Sequence, residues 1–197
     1  KYANFPAVSL GWNVYKEAFF PETETFSLLK LRFSKGSLGT TSFLGAYDAL
    51  SILTLNPTVL GTGYLIPANI ANPDLTWQTN TETNYGVDTG FFRNRIKLGV
   101  DYYTSDIEDI LIKQPVSEVL GTSTLSKNSG VVRSSGLEFE LSANVINKPD
   151  FTWDINTNLS TVNTEILSLG GLDKIADTRY GVSGRAPVFR NYVGGQI

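Results

Sequence analysis

Apolar and polar residues alternate strictly over two long adjoining runs within Asn72–Tyr103, NPDLTWQTNTETNYGVDTGFFRNRIKLGVDYY. From Thr79 the odd positions carry Thr79, Thr81, Thr83, Tyr85, Val87, Thr89 and Phe91, against Asn80, Glu82, Asn84, Gly86, Asp88 and Gly90. Beyond Arg93-Asn94 the apolar set changes parity to Ile96, Leu98, Val100 and Tyr102. A period of two places each set on its own face of a sheet. A two-residue turn at Arg93-Asn94 accounts for the change of parity. It sets Phe91 against Ile96, Thr89 against Leu98, Val87 against Val100 and Tyr85 against Tyr102, all on one face. Each arm is roughly twice as long as the usual strand of five or six residues.

The same alternation predicts four further strands. Ala3–Tyr15 places Val8, Leu10, Trp12 and Val14 on one face, with Pro6 tolerable only near a strand end or a bulge. After a polar connection, Lys16–Ser27, the segment Leu28–Leu38 sets Leu29, Leu31 and Phe33 against Lys30, Arg32 and Ser34. The second arm of the hairpin continues through Ile107–Lys113. Arg133–Val145 alternates Leu137, Phe139, Leu141, Ala143 and Val145 with Glu138, Glu140, Ser142 and Asn144. The last strand carries Phe151, Trp153, Ile155, Thr157, Leu159 and Thr161 against Asp154, Asn156, Asn158 and Ser160. Because both of these strands keep their apolar residues at odd positions, the turn between them is expected to hold an odd number of residues, Lys148–Asp150 or Ile146–Asp150. Gly39–Pro73, Gln114–Val132 and Glu165–Ile197 read as long loops, with a weak signal for a short helix near Leu44–Leu53.

Connections are thus the shorter ones after the first, third and fifth strands, two of them tight turns, and long after the second, fourth and sixth. Short turns at one end and long loops at the other are the arrangement of an outer-membrane barrel. The fold class expected is all-β: a fragment of a large antiparallel transmembrane β-barrel, with short periplasmic turns and long extracellular loops.

Composition narrows the chemistry. The 16 basic and 19 acidic residues are interleaved, so no nucleic-acid footprint is present. Cysteine and histidine are both absent, which removes disulfides, thiolate sites, the commonest general base and the commonest metal ligand. No enzyme, catalytic set, metal site or cofactor is expected. No apolar run is long enough for a transmembrane helix, which leaves a barrel open because its strands alternate. The lack of Met and the ending on Gly194-Gly195-Gln196-Ile197 read as a piece of a larger protein.

Counting from the short-turn end places Trp12, Phe91, Ile96, Phe151 and Trp153 at one membrane interface, and Tyr85 with Tyr102 toward the other. Trp77 and Ile110 are expected beyond the membrane. Lys30, Arg32, Glu82, Asp88, Asp101, Glu138, Glu140 and Asp154 fall on the opposite parity, facing the lumen. Their mixed signs suit cross-strand pairing and contact with whatever fills the lumen. Lys35 follows Phe33 on the lipid-facing parity, where a bare Lys near mid-depth costs on the order of 2–4 kcal/mol. A bulge near Gly36, snorkelling, or a covering protein would each relieve it.

Several segments resemble the C-terminal half of the barrel in SusC/RagA-like TonB-dependent transporters of the Bacteroidetes outer membrane. They are Phe5–Trp12 (FPAVSLGW), Leu29–Gly36 (LKLRFSKG), Asn72–Tyr103, Gly130–Leu141 (GVVRSSGLEFEL) and Tyr192–Ile197 (YVGGQI). The chain departs from that pattern at Lys35, where members usually carry an aromatic residue. The resemblance implies a barrel of about 22 strands with a plugged lumen, of which residues 1–197 form part of the wall while the plug and N-terminal domains lie elsewhere. It also implies import of bulky nutrients, oligosaccharides or peptides, with a SusD-like surface lipoprotein and with TonB acting through a region outside this chain. Two other readings are a family member serving as a scaffold in a larger envelope complex, and a soluble β-rich adhesin or glycan-binding module.

Overall fold

A computed structural model describes residues 2–21, 23–42, 44–56, 63–117, 119, 122, 124–176 and 190–196. The strands are β1 (Ala7–Trp12), β2 (Phe26–Thr40), β3 (Leu53–Asn56), β4 (Tyr64–Pro67), β5 (Gln78–Phe91), β6 (Ile96–Pro115), β7 (Thr124–Lys148), β8 (Phe151–Ser160), β9 (Asn163–Leu169), β10 (Lys174–Ala176) and β11 (Arg190–Tyr192). One antiparallel sheet runs β1-β2-β5-β6-β7-β8, and β9 pairs with the upper half of β7, above β8. The fold is therefore six staves of an antiparallel wall, the sixth broken into β8 and β9. The pairs β3–β4 and β10–β11 form two small sheets of their own.

The central hairpin has the register its alternation predicts, from Phe91↔Ile96 through Tyr85↔Tyr102 to Thr79↔Glu108. Arg93 and Asn94 both take left-handed backbone (φ 57° and 64°), the conformation of a two-residue turn whose twist matches the strands it joins. The β1–β2 connection braces this turn. Phe92 N donates to Thr25 O (2.9 Å), Arg93 N to Ser27 Oγ (2.7 Å), and the Arg93 side chain pairs with Glu24.

Several expectations change. The turn after β7 holds two residues, Pro149 and Asp150, since Lys148 lies opposite Phe151. The odd residue needed to keep parity is instead a bulge at Val145, where pairing skips from Asn144 to Ile146. Much of Gln114–Val132 is strand rather than loop, because β7 begins at Thr124 and pairs with β6 up to Pro115. Within Glu165–Ile197, β9 continues to Leu169. The Gly39–Pro73 connection contains the β3–β4 hairpin, and residues 46–49 form a turn rather than a helix. Finally, β2 pairs with β5 without interruption from Leu28 to Thr40, so no bulge near Gly36 turns Lys35 around. Pro6 stands just outside β1, where its carbonyl accepts Ser37 N (3.0 Å).

Little of the wall is buried. Among the described residues the buried apolar side chains are Val14, Leu75, Ile112, Ile166 and Leu169, and the last three form one cluster with Val132 and Leu172 where β9 joins β7. By contrast Leu10 is 66 % exposed, Leu159 62 % and Tyr85 53 %. Full burial of one such side chain is worth roughly 1.5–3 kcal/mol. A dozen left half-bare in water would forfeit on the order of 10 kcal/mol, as much as the net stability of a typical domain. This face is built to be covered.

Candidate functional site: the two faces of the wall

On the apolar face the register stacks residues in rows across the staves. Leu31, Val87, Val100, Phe139 and Leu159 form one row, and Phe33, Tyr85, Tyr102 and Leu137 the next. Rings meet along it: Phe33 lies 5.2 Å from Tyr85, and Phe26 stacks on Phe91 at 5.3 Å. The following row turns polar on β2, β5, β6 and β7, at Lys35, Thr83, Thr104 and Ser135, while Val8 of β1, opposite Lys35, stays apolar. Above it come Ser37, Thr81, Asp106, Arg133 and Glu165. Arg133 grips Asp106 through both carboxylate oxygens, at 2.6 and 2.7 Å.

Of the aromatic residues expected at interfaces, Phe91 begins the hairpin and Tyr85 and Tyr102 face each other. Phe151 and Trp153 open β8 beside the short turn. Trp12 lies opposite Leu31, and its indole N–H donates to Glu17 Oε1 (2.8 Å). Trp77 precedes β5 and meets the edge of Phe5 at 6.1 Å.

The charged face is organised by Arg32. Its Nε and Nη2 donate to Asp88 (2.9 and 2.8 Å), and its Nη1 and Nη2 donate to Asp101 (2.8 and 2.7 Å). One guanidinium thus ties β2, β5 and β6 through charge-assisted, forked bonds. Parity groups these residues but not the pairing, which is diagonal: Arg32 lies opposite Gly86, while Asp88 lies opposite Lys30. Gly86 is what lets the side chain cross β5. A Cβ there would stand 2.6 Å from both Arg32 Cζ and Asp101 Oδ1. A glycine between two alternating runs, flanked by charges of both signs on neighbouring staves, is the signal that could have revealed it.

The other expected lumenal charges are not drawn in. Lys30, Glu82, Glu138 and Glu140 make no ion pair with any described residue. Asp154 accepts Asn144 Nδ2 (2.7 Å) at the short-turn end.

At the opposite end two asparagines fasten the long connection into the sheet. Asn128 exchanges hydrogen bonds with Thr76 (N to Oδ1 2.9 Å, Nδ2 to O 3.0 Å) and donates to Asp109 O (2.8 Å), where β6 bulges. Asn72 Nδ2 donates to Ser126 O (2.8 Å). Leu75 is buried between these two anchor points in sequence. The Asn72–Trp77 segment is therefore docked on β7, at the point where Asn128 also bonds β6.

Comparison with known proteins accords with this architecture. The family described as "TonB dependent receptor-like, beta-barrel" matches residues 2–192. TonB-dependent receptor P3 of Formosa agariphila is 33 % identical over 86 % of this chain and 17 % of its own length. TonB-dependent receptor SusC of Bacteroides thetaiotaomicron is 30 % identical over 88 % of the chain and 18 % of its own. The RagAB peptide importer in its open-open state superposes with a TM-score of 0.80 at 26 % identity, over 96 % of this chain and 20 % of that one. The chain thus spans no more than a fifth of the length of these relatives. It belongs to the TonB-dependent receptor-like β-barrel family, a family of outer-membrane barrels.

Proposed function

We propose that this chain is a section of the wall of an outer-membrane transporter that takes up bulky nutrients, oligosaccharides or peptides, using energy delivered by TonB. The apolar face lies against lipid. The face organised by Arg32 lines the lumen, whose plug and N-terminal domains belong to other parts of the protein, and a SusD-like surface lipoprotein covers the external end. One observation carries the reading: a sheet too exposed to stand alone, zoned into apolar rows on one face and charge on the other, that superposes on the RagAB peptide importer. A scaffold in a larger envelope complex would supply the protein that could cover Lys35, but Lys35 needs no such cover where it stands, in the row beyond Phe33, Tyr85 and Tyr102.

The test is genetic. Deletion of the full-length gene is expected to abolish growth on one class of oligosaccharide or peptide as sole nutrient, and removal of the TonB-interacting segment to do the same. Tagged protein is expected to copurify a surface lipoprotein. Unchanged uptake in the deletion strain, together with loss of a large envelope complex, would contradict transport.

A further inference from the structure

The two polar rows above Phe33, Tyr85 and Tyr102 have chemistry the transport reading does not use. They lie on the lipid-facing side, not on the lumenal one. Thr83 is the ninth residue of β5 counted from Phe91, and Thr104 the ninth of β6 counted from Ile96. A tilted strand needs roughly 9–11 residues to cross the hydrocarbon, so these rows stand at the level of the outer-leaflet headgroups. Lys35 is exposed and makes no ion pair with any described residue. Its charge reaches Asp106 through space, but Asp106 is already held by Arg133. Arg133 uses Nε and Nη2 on that carboxylate, which leaves Nη1 without a partner among the described residues. Glu165 lies on the far side of Arg133, away from Lys35. The Lys35 side of the patch therefore carries the unmatched positive charge, with the hydroxyls of Thr83 and Thr104 between it and β7.

We propose that these rows bind the phosphate group of an outer-leaflet lipid, with Lys35 as the principal ligand and Arg133 and the intervening hydroxyls completing the site. Resting on the reading of this face as membrane wall, the proposal adds a specific lipid contact that transport does not require. Charge and donor geometry favour it: an ammonium and a free guanidinium N–H flank two hydroxyls, all of them donors suited to phosphate oxygens. A protein partner would instead be expected to bring apolar side chains to a central patch, and the span of these rows from Lys35 to Arg133 is polar throughout, with Val8 as an apolar neighbour at the β1 edge.

The experiment uses the full-length protein purified in mild detergent, with bisphosphorylated lipid A and its dephosphorylated form as probes and native mass spectrometry as the readout. Wild type is expected to retain the phosphorylated form in preference. Lys35→Gln, which breaks no ion pair, should reduce that retention about fivefold, and the Lys35→Gln/Arg133→Gln double variant tenfold or more, the scale for loss of basic groups at a membrane surface. Heat-modifiable gel mobility reports whether each barrel is folded. Equal retention of the two lipid forms by wild type, or equal retention of phosphorylated lipid A by wild type and folded Lys35→Gln, would overturn the proposal. So would a folded variant that sheds a copurifying protein while keeping its lipid. Wild type lacking heat modifiability would instead overturn the membrane-wall reading beneath it.

Discussion

Arg32 shows how one side chain can hold three staves. It is about one-third exposed, as is Asp88, while Asp101 is more enclosed at 19 %. Solvent screening limits each pair to the scale of a surface ion pair, about 1 kcal/mol or less. What raises the stake is sharing: without the guanidinium, two carboxylates on neighbouring staves face each other unmatched. A double-mutant cycle between Arg32→Gln and Asp101→Asn in the full-length barrel is expected to give a coupling of about 0.5–1.5 kcal/mol that shrinks in high salt. Gly86→Val should abolish the coupling without touching any charge, because the new side chain fills the crossing point. A Gly86→Val protein with the cycle unchanged would remove the slot from the account. Alternation was enough to put Arg32, Asp88 and Asp101 on one face. It could not choose Arg32 over Lys30 as the partner of Asp88, because that choice depends on the missing Cβ of a residue on a third position.

Among the elements, the lower part of the wall was legible and the upper part was not, for one reason. Where one face meets lipid, burial enforces a period of two, and the register of β5 on β6 follows residue by residue. Above the polar rows burial is confined to one local cluster around Ile112, Ile166 and Leu169, so no continuous apolar surface enforces alternation along the strands; Thr124–Val132 (TLSKNSGVV) reads as loop yet pairs with β6 as strand. The bulge at Val145 was hidden differently. Its parity shift is the same one an odd-numbered turn would produce, and only the paired backbone separates the two. In the upper region side-chain amides substitute for pattern. Asn128 satisfies both backbone groups of Thr76 and a carbonyl at the β6 bulge. Asn128→Ala is expected to cost about 1–3 kcal/mol locally and to raise amide hydrogen exchange at residues 72–77, leaving the β5–β6 hairpin protected. Unchanged exchange at Thr76 would show that the docking has other support.

At the scale of the molecule, the sheet makes sense only with something on both sides of it. Its apolar rows span the hairpin from Phe91 and Ile96 to Tyr85 and Tyr102, and among the described residues its charged face forms ion pairs only around Arg32. Lys35, which looked misplaced when strand β2 was counted from Leu28, is unexceptional once β2 is seen to begin at Phe26, opposite Phe91. The resemblance read from motifs and the matching family agree on what such a wall belongs to. The central claim is that these rows measure depth in a bilayer, and an arginine scan along β6 of the full-length protein tests it most directly. Leu98→Arg, Val100→Arg, Tyr102→Arg and Thr104→Arg would be compared by reversible unfolding from lipid vesicles. The predicted profile peaks at Leu98 and Val100, with a cost of about 2–4 kcal/mol, and falls to about 0–1 kcal/mol at Thr104. A flat profile, or one that rises toward Thr104, would contradict it.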